Sequence, residues 1–257
     1  NVWWRNTKRN YRMEIIDSHI HIGNLSDEET ITPEQVREQL TSWGVSGGLM
    51  IPIAKRGGND NLRIHTTLYA NAIKAGFDVA LYANPQMLDV SPDLSHFLNF
   101  QFKALKIHPD AVIFSDQLIY QVCEIATFLK LPLMIHTGAN DCCHAGRFET
   151  FIQQYPELKF VLCHARPSAE AFPLMMKYPN VWIDIAFLPF HDLSVNFTKD
   201  IEDRILFGTD YPANRWFPHL GDETEWYQQQ ITSIIKTFPS EVAEKMLCQN
   251  YNRLFTK

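Results

Sequence analysis

The sequence predicts an α/β fold, a (β/α)8 barrel in a single domain, on three observations. Short apolar runs recur eight times along the chain, a polar or Gly/Pro signal follows each, and stretches with helical spacing lie between them. Strands alternating with helices imply parallel pairing and burial on both sheet faces. Eight such units in about 250 residues match the size of a closed barrel. The competing architecture, an open doubly wound sheet, normally carries a Gly-rich phosphate turn after its first strand. Here that position reads "DSHIHIG".

The runs, in order, are "MEIIDSHIH" (13–21), "GGLMIPI" (47–53), "DVALYANP" (78–85), "KALKIHP" (103–109), "LPLMIHTG" (131–138), "LKFVLCHA" (158–165), "VWIDIAF" (181–187) and "RILFGTDYP" (204–212). The helix after the first run is "TPEQVREQLTSWG", with Thr32 as its cap, Pro33 at the first position and Gly44 past the end. In "SDQLIYQVCEIATFLKL", Ser115 is the expected N-cap, and Leu118, Val122, Ile125 and Leu129 share a face. "RFETFIQQYP" and "SAEAFPLMMKYP" are shorter helical stretches, each ending near a proline. The barrel is expected over residues 13–257, preceded by an N-terminal arm, 1–12, that is basic and aromatic and lacks the apolar region of a secretory signal.

Composition narrows the function classes. A net charge of -6 with no Lys/Arg stripe offers no electrostatic footprint for nucleic acid. No apolar run approaches the roughly 20 residues of a membrane-spanning helix. Five scattered cysteines do not form a secreted disulfide framework, so a cytoplasmic location is expected. Trp3, Trp4 and Tyr11 of the arm suit a cover for the barrel bottom or for a partner subunit, which makes a homodimer plausible.

Reactive groups of a barrel sit at the C-terminal ends of its strands. The first run ends in His19 and His21, the fourth in Lys106 and His108, the fifth in His136, the sixth in His164 and the eighth in Asp210; five of the ten histidines therefore fall at run ends. Side chains alternate along a strand, so Asp17, His19 and His21 share one face. Two imidazoles there can bind a divalent ion, to which His136 and Asp210 add a nitrogen and an oxygen. Three histidines and a carboxylate suit zinc, ahead of iron, manganese or nickel. An open coordination position would hold a water, whose pKa zinc lowers to about 7. Singly, each feature has an ordinary reading: a strand-end pair for His19 and His21, a hydrogen-bonded histidine for His136 or His164, a turn cap for Asp210.

Together, "DSHIH" on the first strand, "KALKIHP" on the fourth, "IH" on the fifth, "CHA" on the sixth, "GTDYP" on the eighth and the ending "NYNRLF" (250–255) resemble the amidohydrolase superfamily. The resemblance is to its amidohydrolase-related (amidohydrolase 2) branch of metal-dependent hydrolases and decarboxylases, and runs from Glu14 to Phe255. It implies that His19, His21, His136 and Asp210 are metal ligands. It also implies that Asp210 takes a proton from the activated water. His164 matches a histidine that binds a second metal in binuclear relatives and assists substrate polarisation or proton transfer in mononuclear ones. Lys106 matches a lysine that, when carboxylated, bridges two metals; its alternative is an ammonium paired with an inward carboxylate such as Asp17 or Asp184. One ion is favoured, with two as the alternative.

Arg166, Arg147 and His108 are candidate substrate-binding residues, the arginines as clamps for a carboxylate. Arg166 stands in "HAR", where many relatives carry a small residue. Cys142, Cys143 and His144 in "ANDCCHAGR" carry metal-type donors, but one loop offers poor tetrahedral geometry and the main site needs no further ligands. The aromatic "NRWFPH" (214–219) would roof an apolar substrate or pack the rim. The leading expectation is a hydrolase of a small amide, lactone or ester, in which Asp210 moves the proton and His164 steadies the developing oxyanion. The alternatives are a nonoxidative decarboxylase of an aromatic or unsaturated acid, and a noncatalytic metal- or ligand-binding barrel.

Overall fold

The computed structural model describes residues 13–53, 62–83, 100–217 and 222–256. Nine strands appear within them: β1 (Ile16–Asn24), β2 (Thr30–Ile31), β3 (Gly47–Pro52), β4 (Asp78–Tyr82), β5 (Ala104–Ile107), β6 (Leu133–His136), β7 (Phe160–Cys163), β8 (Val181–Asp184) and β9 (Ile205–Leu206). They form one sheet in the order β2-β1-β3-β4-β5-β6-β7-β8-β9. All neighbours are parallel except the short β2, which pairs antiparallel with the end of β1. The ring closes beyond β9. Ser18 N donates to Phe207 O (2.9 Å), Asp210 N to His19 O (2.8 Å) and His21 N to Tyr211 O (2.7 Å). The eight parallel strands are the eight expected runs, so the (β/α)8 barrel stands.

Strand alternation sorts the residues into two apolar sets, as a sheet buried on both faces requires. Leu105, Ile107, Leu133, Ile135, Phe160, Leu162, Val181 and Ile183 point outward into the cluster shared with the helices. Leu49, Ile51, Ala80, Ala104, Met134, Val161, Trp182 and Leu206 fill the interior, where Tyr251 and Phe255 pack against them. The ending "NYNRLF" is thus a helix, Asn250–Phe255, that plugs the barrel. Burying each large side chain contributes about 1.5–3 kcal/mol.

Thr32 caps the helix Pro33–Ser42 through a full capping box with Gln35. Ser115 caps Asp116–Leu129. The buried face of that helix differs from expectation: Ile119, Val122, Cys123 and Ala126 are buried, whereas Leu118, Ile125 and Leu129 only flank the core. The strands are also shorter than the apolar runs, because the run ends leave the ladder to become the loops of the mouth. The arm 1–12 with Trp3, Trp4 and Tyr11, the end of the third run and the end of "NRWFPH" lie outside the described residues. Among the described residues no helix is long and apolar enough to cross a membrane.

Candidate active site

The site begins with a layer rule. On the interior face of β5 to β8, the apolar residue is followed two positions later by a chemical one: Ala104 by Lys106, Met134 by His136, Val161 by Cys163, Trp182 by Asp184. Period-2 alternation therefore raises a polar layer directly above an apolar one. On β1 the register shifts between Asp17 and Ile20, a bulge of the kind that re-aims side chains beside functional sites. Room for it comes from glycine, since a Cβ on Gly48 would lie 2.2 Å from Asp17 O. Asp17 accepts from His19 N (2.9 Å), Thr209 N (3.0 Å) and Thr209 Oγ1 (2.5 Å), and so pins the closing seam.

His19 and His21 bring their Nε2 atoms within 3.1 Å of each other. Asp210 Oδ1 lies 2.9 Å from His21 Nε2 and 3.3 Å from His19 Nε2. The other nitrogen of His19, Nδ1, faces Asp184 Oδ2 at 3.0 Å. Because a carboxylate can only accept, Nδ1 carries the proton and the Nε2 lone pair of His19 points at the other two donors. Three electron-rich atoms converging in a buried place are a poor arrangement on their own and a fitting one for a cation. The carboxylate–histidine arrangement behind them matches the usual support of a metal-bound imidazole.

His136 and His164 form an adjoining pair, His164 Nε2 lying 3.1 Å from His136 Nδ1. His136 is grouped by its other neighbours with His108, whose ring stacks on it at 3.8 Å, and with Asp110. His164 connects the two sets: its ring is 5.0 Å from that of His19, and one of its ring nitrogens falls in one group with a nitrogen of His19 and a carboxylate oxygen of Asp184. Lys106 is buried, with Nζ 3.2 Å from His19 Nε2 and 2.9 Å from Cys163 Sγ. Five of the six candidate ligand and proton-transfer groups thus meet in two adjoining sets, and Lys106 joins them at His19.

Protonation follows from burial. Burial pushes His19, His108 and His136 below the ordinary imidazole range, with the Lys106 ammonium contributing. His164 is brought down to about 4 by burial, against the opposing pull of Asp210 and Asp184. Burial also opposes ionisation of Asp210 and Asp184, but the surrounding imidazoles outweigh it and hold both carboxyls well below the usual range. Neutral imidazoles beside ionised carboxylates are the forms that bind a metal.

Two expected roles change. His164 Nδ1 faces Ala186 O at 2.9 Å and must donate to it, so a neutral His164 presents a lone pair at Nε2. In that neutral form it can accept a proton or ligate, while its Nε2 does not donate to an oxyanion. Arg147 donates to Cys142 O, to Phe114 O (2.7 Å) and to Asp116 Oδ1 (3.3 Å), which ties it to the loops rather than to the histidines. Arg166 is different. Its backbone N bonds Thr137 Oγ1 (2.8 Å), its guanidinium donates to Phe187 O (2.5 Å), and both Asp210 and Asp184 act on its charge. His108 accepts from Ala111 N at Nδ1 (3.1 Å), which leaves its proton on Nε2. His164, Ala165, Phe187 and Asp210 all have φ between 48° and 69°, a left-handed cluster around the mouth of the kind that marks functional sites.

A sequence model described as amidohydrolase matches residues 16–256. The chain belongs to the amidohydrolase family. Members of this family typically bind a divalent metal. No curated protein sequence matches the chain. Among solved structures, this amidohydrolase is similar to a probable 2-pyrone-4,6-dicarboxylic acid hydrolase from Acinetobacter baumannii, solved with citric acid bound. The TM-score is 0.68 at 12% identity, covering 95% of this chain and 100% of that one. It is also similar to the 4-oxalomesaconate hydratase of Rhodopseudomonas palustris (TM-score 0.61, 18% identity, 94% of this chain and 95% of that one). A third is the apo IDCase of Metarhizium anisopliae (TM-score 0.64, 12% identity, 94% of this chain and 97% of that one). At these identities the likeness is one of fold.

Three residues that the geometry makes prominent were barely visible in sequence. Asp184 follows an apolar run and was read only as a partner for Lys106. Cys163 stands beside the more conspicuous His164. Asp110 lies in a loop, three residues beyond the last residue of β5. The two-residue rule along the interior face identifies Cys163 and Asp184; nothing local identifies Asp110.

Proposed function

We propose that this amidohydrolase is a metal-dependent hydrolase of a small amide, lactone or ester that bears a carboxylate. The observation that carries the proposal is the convergence of His19 Nε2, His21 Nε2 and Asp210 Oδ1, with His19 Nδ1 held by Asp184. His19, His21 and Asp210, completed by His136, would hold one divalent ion, zinc by its donor set. When bound, such an ion lowers the pKa of water and polarises a substrate carbonyl.

The remaining work falls to the chain's own side chains. Asp210 has one oxygen among the histidines, and its second is left to take a proton from the attacking water. The lone pair of His164 Nε2 lies beside this site and accepts that proton in turn, before it passes to the leaving group. Arg166, part-buried with a fixed backbone, clamps the substrate carboxylate. The names of two fold neighbours, a dicarboxylic acid hydrolase and an oxalomesaconate hydratase, support an acidic substrate. His108, with its proton on Nε2, is placed to donate to a substrate oxygen.

The His136–His164 pair also favours a second reading, in which the site would take two ions and Lys106, carboxylated, would supply a further oxygen ligand. Metal analysis of Cys142→Ser protein purified without chelators, in which the histidine centre alone is counted, distinguishes the two, with one equivalent expected and two supporting the alternative. Protein that neither carries nor rebinds a metal would sink both. A panel of lactones, amides and acids separates hydrolysis from decarboxylation: turnover without carbon dioxide release is expected, and release from an acid would identify a decarboxylase.

A further inference from the structure

The loop after β6 holds adjacent cysteines on a turn, Asp141–Cys143, and both are free thiols. From sequence they had only His144 for company. The structure turns His144 away: its Nε2 lies 3.0 Å from Ala139 O and its Nδ1 3.7 Å from Glu170 Oε1. In its place a second loop supplies Asp110. One carboxylate oxygen of Asp110 and the sulfurs of Cys142 and Cys143 all lie within 4.8 Å of one another.

We infer that Asp110, Cys142 and Cys143 form a second cation site at the rim of the mouth, selective for zinc or a softer divalent ion such as cadmium. Thiolate donors select such ions over magnesium or calcium. A third donor from a separate loop removes the geometric objection to a pair of neighbouring cysteines. Adjacent cysteines are also poor partners for a mutual disulfide, so the thiols remain available.

The surroundings are built for the purpose. Asn140 Nδ2 donates to Asp110 Oδ1, fixing the carboxylate, and Cys142 Sγ lies 3.7 Å from Pro109 O, against the backbone of the Asp110 turn. Cys143 is buried and Cys142 exposed, so an ion enters from solvent and is held from within. Arg147 donates to Cys142 O and brings a positive charge to a loop that becomes anionic when the thiols ionise. Burial and the neighbouring Cys142 push the Cys143 thiol up to about 11, so without an ion Cys143 keeps its proton. Binding forms two metal–sulfur bonds and one metal–oxygen bond, and releases the two thiol protons to solvent. Asp110 belongs also to the His108–His136 group, which joins the rim site to the main centre through one carboxylate.

The test is a cadmium titration of the full chain, kept reduced with a phosphine and followed by thiolate-to-cadmium charge-transfer absorption. Histidine and carboxylate ligands do not produce this signal, so the main centre is silent. Absorption that saturates at about one ion per chain is expected, with its loss in Cys142→Ser and in the Cys142→Ser/Cys143→Ser pair. Asp110→Asn should bind cadmium roughly tenfold or more weakly. His19→Ala should leave the signal intact, so failure of the main centre and failure of the rim site read out separately. Undiminished absorption in the double variant would assign the signal to the buried Cys123, Cys163 or Cys248 and overturn the proposal. Unchanged affinity in Asp110→Asn would overturn it as well. Cys142 is exposed, so its single variant keeps the test valid even if the double variant does not fold.

Discussion

Two layers of the barrel interior, one residue pair apart on the same strands, follow opposite physics. The lower layer, with Ala104, Met134, Val161 and Trp182, is apolar and plugged by Tyr251 and Phe255. The upper layer, with Lys106, Cys163 and Asp184 buried and His136 half-buried, is filled with titratable groups. Burial contributes stability below and costs it above, where polar atoms must be desolvated and are matched by one another and by a few backbone groups. Of the five described non-glycine residues with a left-handed φ, four sit with the upper layer, and the fifth, Lys130, ends the helix Asp116–Leu129. A fold that accepts this cost at one end and not at the other separates what holds the barrel together from what it does.

Substitutions in each layer can break or sharpen this contrast. The largest effect is expected for Asp210→Ala. It should lower turnover by on the order of a thousandfold or more and remove most bound metal, while the thermal unfolding midpoint changes little. A large fall in stability with retained activity would reverse the assignment of the two layers. One layer down, Met134→Ala should do the opposite. It should cost about 2–5 kcal/mol in a denaturant titration, while activity per folded molecule stays close to normal.

Between these extremes lies Asp184→Asn, a residue in the upper layer that would touch no substrate. Its oxygens serve His19 Nδ1 (3.0 Å), His164 N (2.9 Å) and Ala186 N (3.1 Å). Asparagine keeps the shape but loses the charge and one acceptor. Metal affinity, measured by competition with a chelator, should fall about 10–100-fold. The same affinity in both proteins would show that His19 is held without Asp184.

The contrast also explains what could be read in advance. Strand positions were legible because apolar runs and turn signals repeat, and the histidines because they end those runs. The β1 bulge, the pairing of β2 and the rotation of Asp116–Leu129 depend on packing partners far along the chain. Roles were harder to read than positions. The preference of His164 for accepting a proton rests on Ala186 O, and the bracing role of Arg147 on Phe114 O and Cys142 O. Loop carbonyls of this kind leave no mark on residue spacing.

The smallest effect concerns a polar residue buried at the opposite end. Asn180, before β8, is 3% exposed, and its Nδ2 donates to Ile152 O (3.2 Å), Tyr155 O (3.1 Å) and Leu158 O (3.1 Å). These carbonyls lie at the end of the helix Glu149–Gln154 and on the chain leading into β7, where no intrahelical donor remains. Here the amide nitrogen of a buried polar side chain is satisfied by backbone. Asn180→Ala should therefore cost only about 1–3 kcal/mol. Asn180→Asp should cost more, since a carboxylate places charge against three carbonyls and cannot donate to them. Denaturant midpoints in the order parent, Asn180→Ala, Asn180→Asp would show that buried polarity at this end is structural. An aspartate tolerated as well as alanine would mean that these carbonyls do not depend on the Asn180 amide, and the division between the two ends would be less sharp than the upper layer suggests.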